Sequence, residues 1–332
     1  MHFRSLLRAA WAALLLAVAR ESTALAQQTP RVLLISVDGL RADAVSAVTT
    51  PNIAALAASG VSAAEAVNDL PSATLPNHAS MLTGLIGDVH GVIFDFSLPG
   101  RIATPTVFDF AHAAGKRCAF FASKTKLEFL APPEALEAFE IADPPVVAER
   151  VRALLVPGGP DLIFLHLRDP DSTGHRFGWL SDEYMQAAAD MDALVGEIAA
   201  AIDADASRPT FVIVTADHGG SGMGHGRNNA EDRSIPWIVH GPGVIAGGKI
   251  QDIVSIVDTA PTALWLLGVD VPDGLSGKAR TEVLDAAAIV GDNFVVPPVG
   301  IPCLLFAVTP ALLGLWLHIR AARGVGRTRR GG

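Results

Sequence analysis

"RVLLISVDGL", residues 31–40, decides the fold. After Arg31 the run VLLISV is apolar at every position but Ser36, and it stops abruptly at Asp38-Gly39. A strand with one wet face alternates apolar and polar residues, whereas consecutive apolar residues demand burial on both faces, the condition of a parallel sheet covered by helices. Similar runs recur in RCAFFA (117–122), DLIFLHL (161–167), FVIVTA (211–216) and IPWIVHG (235–241). Helical patterns separate them: 51–59 after Thr50, 105–114 closed by Gly115, 182–202, and 259–267 after Asp258. The alternation predicts an α/β fold with a mostly parallel central sheet and helices on both faces.

The two ends read differently from the body. Arg4 and Arg8 precede the apolar run AAWAALLLAVA, and ALA at 24–26 precedes Gln27, the three-part pattern of a signal peptide over 1–26. Residues 295–317 carry no charge over a length that suits one transmembrane helix. The tail 318–332 holds five arginines and no acid, the signature of a cytoplasmic flank. We therefore expect a single-pass membrane protein whose main domain, 27–290, faces the periplasm or cell exterior. The net charge of −9 includes +2 from 1–26 and +5 from the tail, which leaves −16 for 27–317 and argues against nucleic acid as a partner. The two cysteines, Cys118 and Cys303, form no disulfide framework.

Three apolar runs end in the same way: at Asp38-Gly39, at RDPDSTGH, and at Asp217-His218. In open parallel sheets the functional crevice lies beyond the carboxyl ends of the strands, so these acids should converge. Asp171 and His175 stand four apart and can share one cation from a helical turn. Asp217 and His218 are adjacent and join Asp38 in a second group, which leaves His225 to complete the first. Each group offers three N/O ligands with an open position, as catalytic zinc requires. The glycines of TADHGGSGMGHG (215–226) would let the loop fold back to bring His225 in. Thr74, ahead of a helical pattern beginning near Pro76, would present its hydroxyl where helix amides favour an anion, although a plain N-cap has the same look.

LLISVDGLRAD (33–43), TPNIAALAASGV (50–61), PSATLPNHASMLTGLIGDVHGV (71–92), DPDSTGH (169–175), and TADHGG with the later HG and IPWIVHGPGV (235–244) together resemble the ordered motifs of the alkaline phosphatase superfamily. The resemblance is greatest to its nucleotide pyrophosphatase/phosphodiesterase branch, and VDTAPTALWLLGV (257–269) is similar to the superfamily's C-terminal helix. It implies a hydrolase of small phosphorylated substrates with two divalent ions, in which Thr74 is the nucleophile and a further ligand of the ion held by Asp38, Asp217 and His218. Asp171, His175 and His225 would hold the other ion, and a phosphothreonine intermediate would form.

The sequence departs from that branch in two places. The stretch from His218 to His225 is too short for the segment that family members insert before the third histidine. The branch's phosphoryl-binding asparagine, 21 residues after the nucleophile, is replaced by Asp95 in GVIFDF, a substrate-binding position where a carboxylate would repel a phosphoryl oxygen unless protonated, paired with a cation or turned away to cap. A sulfatase nucleophile is a modified Cys or Ser followed by Pro and Arg, against Thr74, Pro76 and His78 here. A phosphonate hydrolase, a phosphomonoesterase and a membrane-tethered binding protein with a dead site are the alternatives. Lys124 reads as a solvated lysine, His78 and His90 as supports of the site, and His112, His166 and His240 as surface or satisfied core histidines.

Overall fold

The computed structural model describes residues 29–205 and 207–285, with the backbone alone of 289–290 and 293–294. The expected signal peptide (1–26), transmembrane stretch (295–317) and basic tail (318–332) lie outside the described residues. Among the described residues no helix is long and apolar enough to cross a membrane.

Eight strands form one sheet: β1 (Arg31–Val37), β2 (Val61–Ala63), β3 (Cys118–Ala122), β4 (Leu136–Ile141), β5 (Leu162–Leu167), β6 (Thr210–Thr215), β7 (Trp237–His240) and β8 (Gly248–Ile250). Their spatial order is β4-β3-β5-β1-β6-β7-β2-β8. The first five of that order run parallel, β7 is antiparallel to both β6 and β2, and β8 is parallel to β2. The core of the sheet is β1, flanked by β5 and β6, and every residue of these three strands is buried. Burial of each such Leu, Ile or Phe side chain contributes roughly 1.5–3 kcal/mol. The edge strand β4, LEAFEI, has no fully buried residue, and Glu137 and Glu140 interrupt its apolar positions, so it lacks the unbroken apolar run that marked the others.

Helices α1 (Pro51–Ser59), α5 (Pro144–Leu154) and α7 (Asp182–Ala204) pack together on one face. On the other lie α2 (Thr74–Thr83), α4 (Val107–Ala113) and α8 (Thr259–Leu266), with the single turn α3 (Gly87–His90) beside α2. Three expected helix starts differ in detail. Asp258 precedes α8, but its carboxylate pairs with Arg280 and makes no cap bond to that helix. Thr50 precedes α1, but its hydroxyl accepts from Ser46 N instead, and the free amides of Asn52 and Ile53 are taken by the carboxylate of Asp192 on α7, at 3.0 and 2.7 Å. The helix expected from Pro105 starts at Val107, because Thr106 and Asp109 form a capping box.

Candidate active site

Four adjacent parallel strands, β3, β5, β1 and β6, deliver their C-terminal ends to one edge of the sheet. Register puts Val37 beside Leu167 and Ser36 beside Thr215, so Asp38, the RDPD loop and Asp217 emerge side by side. Gly39 makes the convergence steric. Its φ is +73°, and a Cβ there would come within 2.8 Å of Asp171 Cα. Only glycine permits both the left-handed turn and that approach. The turn also aims Gly39 N at Asp217 Oδ1, 3.0 Å away. Asp171 opens α6 (Asp171–Phe177), the helical turn needed to bring His175 to the same side.

Each of the three carboxylates has one oxygen bound within the protein and one left over. Asp38 Oδ2 accepts from His166 Nε2 at 2.8 Å and from Lys124 Nζ at 2.7 Å; Asp171 Oδ2 accepts from Lys124 Nζ at 2.6 Å; Asp217 Oδ1 accepts from Gly39 N and His218 N. Asp38 Oδ1, Asp171 Oδ1 and Asp217 Oδ2 are buried without a hydrogen-bond donor. Such atoms are costly unless something not of the protein meets them.

The histidines are arranged to match. His218 Nδ1 faces Gly219 O at 2.7 Å, His225 Nδ1 faces Ser72 O at 2.7 Å, and His175 Nδ1 faces Met223 O at 3.2 Å. A carbonyl only accepts, so each Nδ1 carries the proton and each Nε2 lone pair is free to bind a cation. His218 Nε2 lies 3.6 Å from Asp38 Oδ1 and 3.3 Å from Asp217 Oδ2. His175 and His225 Nε2 lie 3.4 and 3.7 Å from Asp171 Oδ1 and 3.1 Å from each other. Two lone pairs at that distance need a proton or a metal ion between them. The ligand atoms of Asp38, Asp217 and His218 form one compact group able to hold an ion, and those of Asp171, His218 and His225 form another. His218 thus stands between the two groups, in the place in the second where spacing had put His175; His175 lies at that group's exposed edge, near Asp171 and His225 but outside the compact set. His78 provides the contrast: with Nδ1 on Thr74 O and Nε2 on Ser36 Oγ it has no free nitrogen, and it supports the backbone of Thr74. His90 is also structural, bonded through Nε2 to Ser80 Oγ on α2.

The electrostatics call for cations. Burial opposes ionisation of Asp38, but Lys124 and His166 outweigh it and hold the carboxyl well below the usual range. Burial and the Asp38 charge also oppose ionisation of Asp171, yet His175 and Lys124 bring it down to about 2. Asp217 goes the other way: burial, then Asp38, push it well above the ordinary carboxylate value. His225 is lowered to about 4, chiefly by burial, and His175 is raised by Asp171. Three acids share the single ammonium of Lys124, so the cluster is short of positive charge and fits divalent ions in number, ligand type and geometry.

Thr74 is the first residue of α2, two residues earlier than the sequence suggested. It is buried, and its Oγ1 lies 3.4 Å from both His218 Nε2 and Lys124 Nζ. Lys124 is not the solvated residue its sequence position suggested: the side chain is only 16% exposed and lies between Asp38 and Asp171, which with Asp217 raise its pKa against the effect of burial. Asp95 does reach the start of α2, but with partners no spacing revealed. Its Oδ1 accepts from Leu75 N at 2.9 Å and its Oδ2 from Lys126 Nζ at 2.9 Å. A helix amide and a lysine thus meet the carboxylate and relieve the repulsion the sequence implied. His112 is exposed, His240 bonds to Ser59, and His166, read as a bystander, touches Asp38.

The glycine loop works by close approach. A Cβ on Gly220 would sit 2.3 Å from the Trp179 ring, whose Nε1 donates to Gly39 O, so bare backbone lets the loop press against Trp179. Ser221 and Gly224 then pair across a tight turn, and His225 returns to the site.

Fold and site define a hydrolase of the alkaline phosphatase superfamily, whose members use a di-metal centre. Within it, the profile of the type I phosphodiesterase / nucleotide pyrophosphatase family matches residues 32–100 and 103–235, and the chain belongs to that family. Among solved structures, murine ectonucleotide pyrophosphatase / phosphodiesterase 5 in complex with AMP superposes with a TM-score of 0.66 at 16% identity, covering 77% of this chain and 100% of that one. Phosphonate monoester hydrolase from Silicibacter pomeroyi gives 0.59 at 17% identity, over 77% and 76%. At these identities the likeness is one of fold. Arylsulfatase K of Xenopus laevis is 35% identical over 111 residues, which is 32% of this chain and 21% of the relative; the human protein is 35% identical over 100 residues, 28% and 19%. The chain thus spans about a fifth of the length of these curated relatives.

Proposed function

We propose that the protein hydrolyses phosphoric esters, with phosphodiesters as the favoured class, through Thr74. Asp38, Asp217 and His218 would hold one divalent ion, with Thr74 as a further ligand, and Asp171, His175 and His225 the other; zinc suits the mixed nitrogen and oxygen set. The observation that carries this reading is the convergence of three unmatched carboxylate oxygens and three bare Nε2 atoms at the nucleophile's end of the sheet. When bound, the ions supply Lewis-acid stabilisation of the charge that develops on phosphoryl and entering oxygens.

The chain's own residues account for the rest. His78 holds the Thr74 carbonyl and α2 fixes its rotation, so Oγ1 is presented in one orientation. Lys124, 3.4 Å from Oγ1, stabilises the alkoxide as the hydroxyl proton departs. Thr74 Oγ1 forms the new bond to phosphorus as the ester oxygen leaves, and the proton Oγ1 gave up reaches that oxygen through solvent to complete the alcohol; water then cleaves the phosphothreonine, its hydroxyl going to phosphorus and its proton restoring Oγ1. Nothing in this scheme requires Asp95 to touch substrate.

The curated relatives bear a sulfatase name, so a sulfuric ester is the second reading; Thr74 in the nucleophile's place favours phosphorus. We also propose that residues 295–317 anchor the protein, with the domain outside the cytoplasm, on the strength of the leader and the arginine tail. The test is purified protein with two bound ions, assayed on aryl phosphodiesters, phosphomonoesters, sulfates and phosphonoacetate. Thr74→Ala should abolish turnover and keep both ions. Full activity in that variant, or in chelated protein, would overturn the proposal.

A further inference from the structure

We propose that His166 is a positioning residue that presents Asp38 to its cation with Oδ1 forward. This rests on reading Asp38 as a ligand. His166 lies on β5 between β3 and β1, fully buried in an otherwise apolar run, where a lone histidine needs partners for both nitrogens. It has them. Ser123 N donates to Nδ1 at 3.2 Å, so Nδ1 is bare and Nε2 carries the proton, and Nε2 donates to Asp38 Oδ2 at 2.8 Å. The direction of the relay is therefore set by the backbone of Ser123, the residue before Lys124. Ser123 Oγ also donates to His166 O at 3.0 Å, which ties the end of β3 to β5 at this point.

The consequence falls on Asp38. Its Oδ2 is occupied by His166 and Lys124, and the carboxylate cannot rotate without breaking both contacts. Oδ1 is thereby held, buried and donor-free, 3.6 Å from His218 Nε2. A free carboxylate could chelate through both oxygens or swing; this one is restricted to a single oxygen in a single direction. The neighbouring His78 ring, 4.9 Å away and edge-on, blocks the space into which the His166 ring would tilt.

Two substitutions separate this role from mere core filling. His166→Gln places an amide N–H near the Nε2 position and keeps a donor for Asp38, while His166→Asn keeps an acceptor for Ser123 N and loses that donor. Zinc affinity is measured ion by ion by chelator competition, with cobalt(II) absorption reporting ligand geometry. His166→Asn should weaken one ion about 10–100-fold, the range for lost partners of metal ligands, with the other ion unchanged, and His166→Gln should stay within about threefold of the parent. Equal affinities in parent and His166→Asn, or equal losses in both variants, would overturn the inference. A parent that takes up no ion removes its foundation and that of the metal reading, so the two failures are distinguishable. Should the variants not fold, nitrogen-15 NMR of the parent decides: Nε2 protonated and Nδ1 bare at neutral pH supports the relay, and the opposite tautomer refutes it.

Discussion

Lys124→Met offers the sharpest test of the site's charge balance, because its effect should change with metal loading. The ammonium sits 2.7 Å from Asp38 Oδ2 and 2.6 Å from Asp171 Oδ2, and among the described residues it is the one Lys or Arg side chain paired with these acids. Even at an effective dielectric near 20, each contact is a gross attraction of about 6 kcal/mol, much of it offset by the cost of burying the charges. Removing one partner of such a buried cluster typically costs about 3–5 kcal/mol, since the charges left behind have neither water nor a counter-ion. In a domain of this size each kcal/mol lowers Tm by roughly 2–4 °C, so metal-free Lys124→Met should melt about 10 °C below the metal-free parent. With zinc bound, the acids have other cations and the penalty should shrink to about 1 kcal/mol. Linkage then requires the variant to bind zinc more tightly: a differential of about 3 kcal/mol is about a 100-fold gain in overall affinity. Turnover should nevertheless fall, because Thr74 loses its neighbouring ammonium. The assay is thermal unfolding of both proteins with chelator and with zinc, joined to a zinc titration. Equal depression of Tm in the two conditions, or weaker zinc binding by the variant, would refute the reasoning.

Two further expectations concern the scaffold. Asp192→Ala leaves the amides of Asn52 and Ile53 at the start of α1 without an acceptor and should destabilise the fold by about 2–4 kcal/mol in urea unfolding, with Asp192→Asn recovering part of the loss. The buried thiol of Cys118 is pushed up to about 12 by burial, so the native protein should resist iodoacetamide at pH 8.5 and react once unfolded. Because the unfolded thiol ionises first, it makes stability fall as pH climbs from about 9 toward 12, and Cys118→Ala should remove that share of the slope in alkaline unfolding curves.

The sequence by itself determined the parallel sheet and the candidate ligand types, because both are written locally. Burial on two faces forces an unbroken apolar run, so VLLISV marked β1, and the acids that follow such runs mark the carboxyl edge. β4 escaped because an edge strand is partly wet and two glutamates break its apolar run. Only the tertiary structure decided the partners. Lys124 follows a strand in the same way whether it ends in solvent or between two carboxylates, and what buries it is the placement of β3 beside β5. Asp95 meets Leu75 N and Lys126, Asp192 caps a helix 140 positions away, and His166 meets Asp38 across 128. No periodicity encodes such pairs. A hydrogen bond is satisfied by geometry at about 3 Å and carries no trace along the chain of which residue will supply it, so the candidate ligands were legible one by one, and the network that orients them was not.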